Sequence, residues 1–319
     1  MTWLNLFSWA DSQRDWEHQG TESPFPIIPL FRNALWKKLL TLVMILLLSA
    51  SLWFGFQAPA QANIFRDIYQ RIVETFNPPP KREVTGRNRG AAGRGPNCPP
   101  VDVPVTALTP GEEFQLNPSR AGSAKSIWAV TVEAQPIFWF YVPYPSAALL
   151  NGGMNLNMGT APPRSNSSPD DEARLAAKFM LLDEEKHPVM SQAIAISLSG
   201  TPGLISFRLP VALETGKLYN WYFSVVCNAQ KPSRNPGVRG WIQRVAASPE
   251  LVQALHSAAP SQRYRAYVEQ GIWYEAVNHL LEHRRLDPTN ETLHAAWVEL
   301  LDYLGLSELA GEAIADCCT

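Results

Sequence analysis

His279 and His283 stand one helical turn apart in the stretch "HLLEH", and His294 follows on the next helical segment. Imidazoles at that spacing share a helix face and are common zinc ligands. A zinc-protease helix carries its glutamate directly after the first histidine, and that position here is Leu280. A solvated helix face accounts for the pair better, so no metal ligand and no cofactor site is assigned. Serine hydrolysis needs a nucleophile on a sharp turn with a histidine partner, yet no "GxSxG" occurs and the middle of the chain holds only His187. The acid pairs Asp170 with Asp171 and Glu184 with Glu185 lie in turns, where nothing buries a carboxyl enough to raise it for acid catalysis. The glycine-rich "RGAAGRG" follows no strand and so is no phosphate cradle. The expectation is a protein without catalytic residues.

Four cysteines are too few for a disulfide-dense mini-fold but suit an oxidising compartment. Cys98 in "GPNCPPVD" and Cys227 in "YFSVVCN" are the preferred disulfide pair, with two separate buried thiols as the alternative. Neither has a cationic neighbourhood that would activate a thiolate. Cys317 and Cys318, at the very end of the sequence, are given no role.

The elements that must position these groups divide the 319 residues into six parts. Residues 1–38 form an N-terminal arm. Residues 39–62 carry the apolar run Leu39 to Phe56, which contains no charge and as a helix would be roughly 27 Å long, close to a bilayer's apolar thickness. Arg32, Lys37 and Lys38 precede it, and Ala60 and Ala62 are spaced for a signal peptidase cutting before Asn63. A cleaved signal peptide and an uncleaved transmembrane anchor both remain open; either exports the rest of the chain, to the periplasm or to the outer side of the inner membrane. Residues 63–76 read as an amphipathic helix, with Ile64, Phe65, Ile68, Ile72 and Phe76 on its apolar stripe, lying on a membrane surface or docked on the folded part. Residues 77–97, rich in proline, glycine and arginine, read as a basic linker. The net charge of −2 provides no global field for nucleic acid, and no nucleic-acid partner is expected.

From 98 to 247 the pattern has period two. "SIWAVTVE", "PIFWFYVPYP", "LAAKFMLLD", "AIAISLSG", "GLISFRLP", "KLYNWYFSVVC" and "VRGWIQRVA" are candidate strands between turn residues. No helix-length segment separates them, which predicts antiparallel pairing in a β-sandwich. The run at 136–145 alternates Phe138, Phe140 and Val142 against Ile137, Trp139 and Tyr141, so burial on both faces is expected. Residues 151–171 form a long polar loop at the sandwich edge, a second candidate contact surface.

Past 247 the period becomes helical, over residues 248–319. Ser248 with Pro249 starts one helix; Asn290 starts another that Gly305 ends. Trp273, Tyr274, Trp297 and Tyr303 are the candidate interaction surface of this helical module. "YVEQGIWYEAVNHLLEHRRLDPTN" resembles a single tetratricopeptide-like repeat through Gly271, Tyr274, Ala276, Leu280 and Pro288, departing from it at Arg263, Tyr264 and His283.

"NCPPVDVPVTALTP", "PIFWFYVPYP", "GTPGLISFRLP", "LYNWYFSVVCN", "VRGWIQRV", "SPELVQAL" and "GIWYEAV", in that order, resemble domain-of-unknown-function family 928, known mainly from cyanobacterial genomes. The resemblance implies an exported, envelope-associated protein and carries over no activity. The combined expectation is a mainly β fold with a C-terminal α module, preceded by a signal peptide or transmembrane helix. It would act as a non-enzymatic binding or scaffolding protein with a protein partner in the cell envelope, attached to the membrane through residues 39–56 if uncleaved. A carbohydrate or cell-wall binding module is the alternative, and a cryptic metal-dependent hydrolase comes third.

Overall fold

Period two in the sequence becomes alternation in burial. In β7 (Ala176–Leu182) Ala177, Phe179 and Leu181 are buried while Lys178 and Met180 are exposed; in β10 (Leu218–Val226) Tyr219, Trp221, Phe223 and Val225 are buried. With β5 (Trp128–Thr131), β8 (Ile194–Ser197) and β11 (Gly237–Arg244) they make a five-stranded sheet in the order β5-β11-β10-β7-β8. A three-stranded sheet is built from β2 (Thr106–Ala107), β6 (Ile137–Val142) and β9 (Gly203–Arg208), with β6 central. Aromatic rings join the two sheets: Phe140 stacks on Phe223 at 4.0 Å, and Phe138 meets Phe179 at 5.0 Å and Trp221 at 5.8 Å. The other face of β6 is also covered, where Trp139 Nε1 donates to Asn278 Oδ1 (3.1 Å) and Tyr141 OH to Glu312 Oε1 (3.3 Å).

One ladder corrects the all-antiparallel expectation. β5 runs parallel to β11, from Trp128 opposite Trp241 to Thr131 opposite Arg244. A parallel neighbour needs a long return path. Here strands β6 to β10 lie along that path, and among its described residues there is no α-helix.

β1 (Thr85–Gly86), β3 (Glu112–Gln115) and β4 (Ser123–Ser126) form a second three-stranded sheet around β4. Between β4 and β5 stands Ile127, fully buried, where the chain leaves one sheet and enters another, so "SIWAVTVE" is two strands rather than one. Three glycines receive its side chain. A Cβ on Gly86 would meet Ile127 Cβ at 2.7 Å, one on Gly240 would meet Ile127 Cγ2 at 2.5 Å, and one on Gly111 would come closer still.

Among the described residues of the Ala62–Thr319 unit the α-helices are α1 (Ile68–Phe76), α2 (Pro249–Ser257), α3 (Arg263–Glu269), α4 (Trp273–Leu286) and α5 (Glu291–Leu304). Ser248 Oγ accepts from Leu251 N at 3.1 Å and Asn290 Oδ1 from Leu293 N at 3.2 Å, and α5 ends at Gly305 with φ +66°. Of its two expected uses, α1 shows docking. Phe65, Ile68 and Ile72 are fully buried, Phe65 lies edge-on to Trp273 at 6.4 Å, and Ile72 backs onto Gly271, whose φ of +70° forms the turn before α4.

Residues 83–90, within the stretch that composition reads as a linker, are a paired strap. Arg87 and Arg239 exchange backbone hydrogen bonds of 2.8 Å each way, Ile127 N donates to Val84 O at 3.0 Å, and Val84 is buried. Arg89 pairs with Glu308 and donates to Gly305 O at 2.9 Å. Backbone partners order this segment where its own side chains supply almost no apolar area.

The structure, a computed structural model, describes residues 38, 41–44, 64–76, 78–81, 83–90, 98–115, 123–145, 176–228, 231–315 and 317. Ala62–Thr319 is one compact unit with a continuous apolar core from Phe65 to Leu309, so the change at 247/248 is one of secondary structure within that unit. In the unit Met1–Gln61 the described residues are helical and exposed. Most of the apolar run 39–56 and the whole 151–171 loop lie outside the described residues, among which no helix is long and apolar enough to cross a membrane.

Gly240→Ala drives a methyl into Ile127 and the Trp221 ring and is expected to cost about 1–3 kcal/mol. Ile127→Ala empties the socket at about 2–5 kcal/mol, and the double variant loses less than the sum. Urea unfolding of the three variants gives these values directly.

Candidate binding cleft

Antiparallel register places alternate residues of neighbouring strands side by side. On the outward face of the five-stranded sheet this sets Asn220 opposite Trp241 and Tyr222 opposite Arg239. Two further walls close over them. The turn after β7 is drawn in by Glu184, whose Oε1 accepts from Leu218 N at 2.9 Å, and it holds Lys186 at φ +67°, a left-handed conformation outside glycine. Asp183 Oδ1 fixes this turn by accepting from His187 N at 2.7 Å. The strap forms the third wall, where Thr85 O accepts from Trp241 Nε1 at 3.2 Å. Glu83, Thr85, Glu184, Lys186, Leu218, Asn220, Tyr222, Arg239 and Trp241 thus enclose a cleft of about 520 Å³.

Its polar groups are unevenly committed. Asn220 is 5% exposed and donates from Nδ2 to Gly240 O at 2.8 Å, which leaves Oδ1 with no donor among the described residues. That oxygen is not among the fully enclosed orphan atoms of the described residues, which are Trp128 Nε1, Arg263 Nε and Tyr264 OH. Among the described residues, Glu83, Lys186 and Arg239 make no ion pair. A second cavity of about 310 Å³ beside α1 differs in this respect, because Lys81 is paired there with Glu112. Burial raises the Tyr69 hydroxyl in that cavity, and Glu112 adds to the effect.

Cys98 and Cys227 are joined by a disulfide with a Cα separation of 5.3 Å, bridging 129 residues. Cys317 lies against β8, its Sγ 3.5 Å from Ser197 O; Cys318 is outside the described residues. The four aromatics expected to form a surface are corrected: Trp273 and Trp297 are fully buried, Tyr274 nearly so, and Tyr303 is partly buried. Trp273 Nε1 donates to Leu108 O at 2.9 Å, Trp297 Nε1 to Ala310 O at 3.3 Å, and Trp221 Nε1 to Tyr274 OH at 3.1 Å. Trp273, Tyr274 and Trp297 thus each meet a polar partner inside the core, which makes these three residues structural. His279 and His283 stack at 6.1 Å, and His283 Nδ1 contacts His279 O at 2.8 Å. Among the described residues no three metal-ligating side chains converge.

Sequence reasoning missed the cleft residues and also Glu275. The signal for the cleft was present as alternate positions in "LYNWYF" and "VRGWIQ", but which residue faces which depends on strand pairing. Glu275 sits in the first turn of α4, buried against β5, where its carboxylate accepts from Thr131 Oγ1 and from Val132 N at 3.4 Å. Burial pushes the carboxyl up to about 7 against these hydrogen bonds, and the nearby Glu133 pushes the same way. Tyr267 on α3 faces both acids and is raised to about 12, first by burial and then by their charge.

The family description Domain of Unknown Function (DUF928) matches residues 89–314. The chain belongs to the DUF928 family. No curated protein and no solved structure matches it. The DUF928 span begins inside the strap at Arg89 and ends at Ile314, which bridges Leu204 of β9. It takes in the β10, β11 and turn residues of the cleft and leaves Glu83 and Thr85 of the strap wall outside.

Because the folded protein holds the Glu275 proton more tightly than the unfolded chain, stability falls as pH rises from the ordinary glutamate range through about 7. The full penalty above that point is roughly 3 kcal/mol. Glu275→Gln should flatten this slope, whatever constant offset the altered hydrogen bonds add, as measured by denaturant unfolding between pH 5 and pH 8.

Proposed function

We propose that this DUF928 protein is a non-enzymatic binding or scaffolding protein of the cell envelope, with the sheet-face cleft as its ligand site. In this reading the two ring-joined sheets are a β-sandwich, and the helical segment is a single tetratricopeptide-like unit packed against it rather than the start of a solenoid. Export follows from the apolar run 39–56 and its flanking charges, and the Cys98–Cys227 bridge suits an oxidising compartment. The protein then resides in the periplasm or on the outer side of the inner membrane, beside an envelope partner.

The observation that carries the reading is the cleft itself, with its uncommitted Asn220 Oδ1, Lys186 and Arg239 around two half-buried rings. Such a mixture of apolar surface and a few convergent polar groups is what a binding site requires. It favours binding over bond cleavage because Glu83 and Glu184 are both exposed and Glu184 is occupied by a backbone N–H, whereas a glycosidase-type acid needs a desolvated carboxyl.

A photocrosslinking residue at position 222 in the full chain should capture discrete envelope components in intact cells. Lys186→Ala with Arg239→Ala should reduce that capture several-fold at unchanged melting temperature. Capture that ignores both substitutions would sink the reading. For export, Cys98 and Cys227 in intact spheroplasts should resist a membrane-impermeant maleimide until reduced and then label without lysis; labelling only after lysis would place the folded unit in the cytoplasm.

A further inference from the structure

The charge around the cleft sums to nothing: Glu83 and Glu184 oppose Lys186 and Arg239. An anionic ligand would meet two carboxylates there and a cationic one two bases, so neither sign gains by entering. A ligand bearing hydroxyls fares differently, because each hydroxyl both donates and accepts. Glu83 and Asn220 Oδ1 accept hydrogen bonds from its hydroxyls, while Lys186 and Arg239 donate to its oxygens, and hydrogen bonds to charged groups are the stronger kind.

The apolar half of the site is equally specific. Tyr222 lies opposite Arg239 and Asn220 opposite Trp241, so Tyr222 and Trp241 are diagonal neighbours on adjacent strands, with backbones roughly 7–8 Å apart. Among the described residues neither ring stacks on another aromatic. Trp241 is further fixed by its bond to Thr85 O, so the indole is held before any ligand arrives. Two adjacent half-buried rings, edged by donors and acceptors of both signs, match a molecule with C–H faces and a rim of hydroxyls. We infer that the cleft binds a neutral saccharide, one sugar ring on Trp241 and the next on Tyr222, with Asn220 Oδ1 accepting from a hydroxyl between them. This inference rests on the cleft being the ligand site, and it names the ligand class.

The test uses the full chain in detergent with cellohexaose, chitohexaose and maltohexaose as neutral probes and hexagalacturonate as the anionic one. Tryptophan fluorescence and isothermal titration should show saturable binding of at least one neutral hexamer, tighter than the anionic one. Tyr222→Leu should weaken it about tenfold or more with an unchanged melting temperature. Trp241→Ala should abolish it, and Tyr222→Leu keeps the test decisive if the tryptophan variant does not fold. Saturation by none of the neutral hexamers, preference for hexagalacturonate, or binding indifferent to Tyr222→Leu overturns the inference. If those results arrive while crosslinking from position 222 still depends on Lys186 and Arg239, the saccharide falls and the binding role of the cleft stands.

Discussion

The fit of Ile127 among Gly86, Gly111 and Gly240 is the constraint on which the architecture turns. At that one residue the backbone leaves β4 and enters β5, and its amide and carbonyl join Val84 of the strap to Trp241 of β11. A buried branched side chain is matched by three positions that lack one, so the strap, the β3 region and β11 can approach a single point. Close packing of this kind has little give, because a displaced methyl has no empty volume to enter. The cleft inherits that rigidity: Trp241 directly follows Gly240, and Thr85, which holds the indole, directly precedes Gly86.

The second organising feature is the layer of rings between the sheets. Phe138, Phe140, Phe179, Trp221 and Phe223 occupy the interior as one stratum, and Tyr274 carries it onto α4. Helix and sheet are thereby a shared core. Glu275, the next residue, introduces an acid at the same joint, and its preference for the protonated form couples the docking of α4 on β5 to pH. A buried carboxyl held by a hydroxyl and an amide fixes an angle of approach that apolar contacts alone would leave loose.

Much of this was legible in the sequence, and the omissions share a cause. All seven segments read as strands from period-two patterning contain strand, and the caps Ser248 and Asn290 mark helix starts, because these signals are local. The strands β1 and β2 have two residues each, too few for any period to register, and their order comes from partners far along the chain. The aromatics Trp273, Tyr274 and Trp297 read correctly as belonging to one helical region but wrongly as its surface, since what covers them comes from other elements: Leu108 over Trp273, Phe138 and Trp221 over Tyr274, and Arg284 and Ala310 over Trp297. The cleft failed to register for the same reason. Asn220 and Trp241 are unremarkable neighbours until the β10–β11 register sets them side by side.

The docking of α1 bears on how the folded unit withstands tension. Whatever holds the chain upstream of Ile64, a pull from that side arrives first at a helix whose Phe65, Ile68 and Ile72 are sunk against Gly271 and Trp273. The strap lies beyond it, secured to β11 by paired backbone bonds and by Arg89 to the far end of α5. A load applied there is therefore discharged into the helical core before it reaches Glu83 and Thr85, which shields the mouth of the cleft from it.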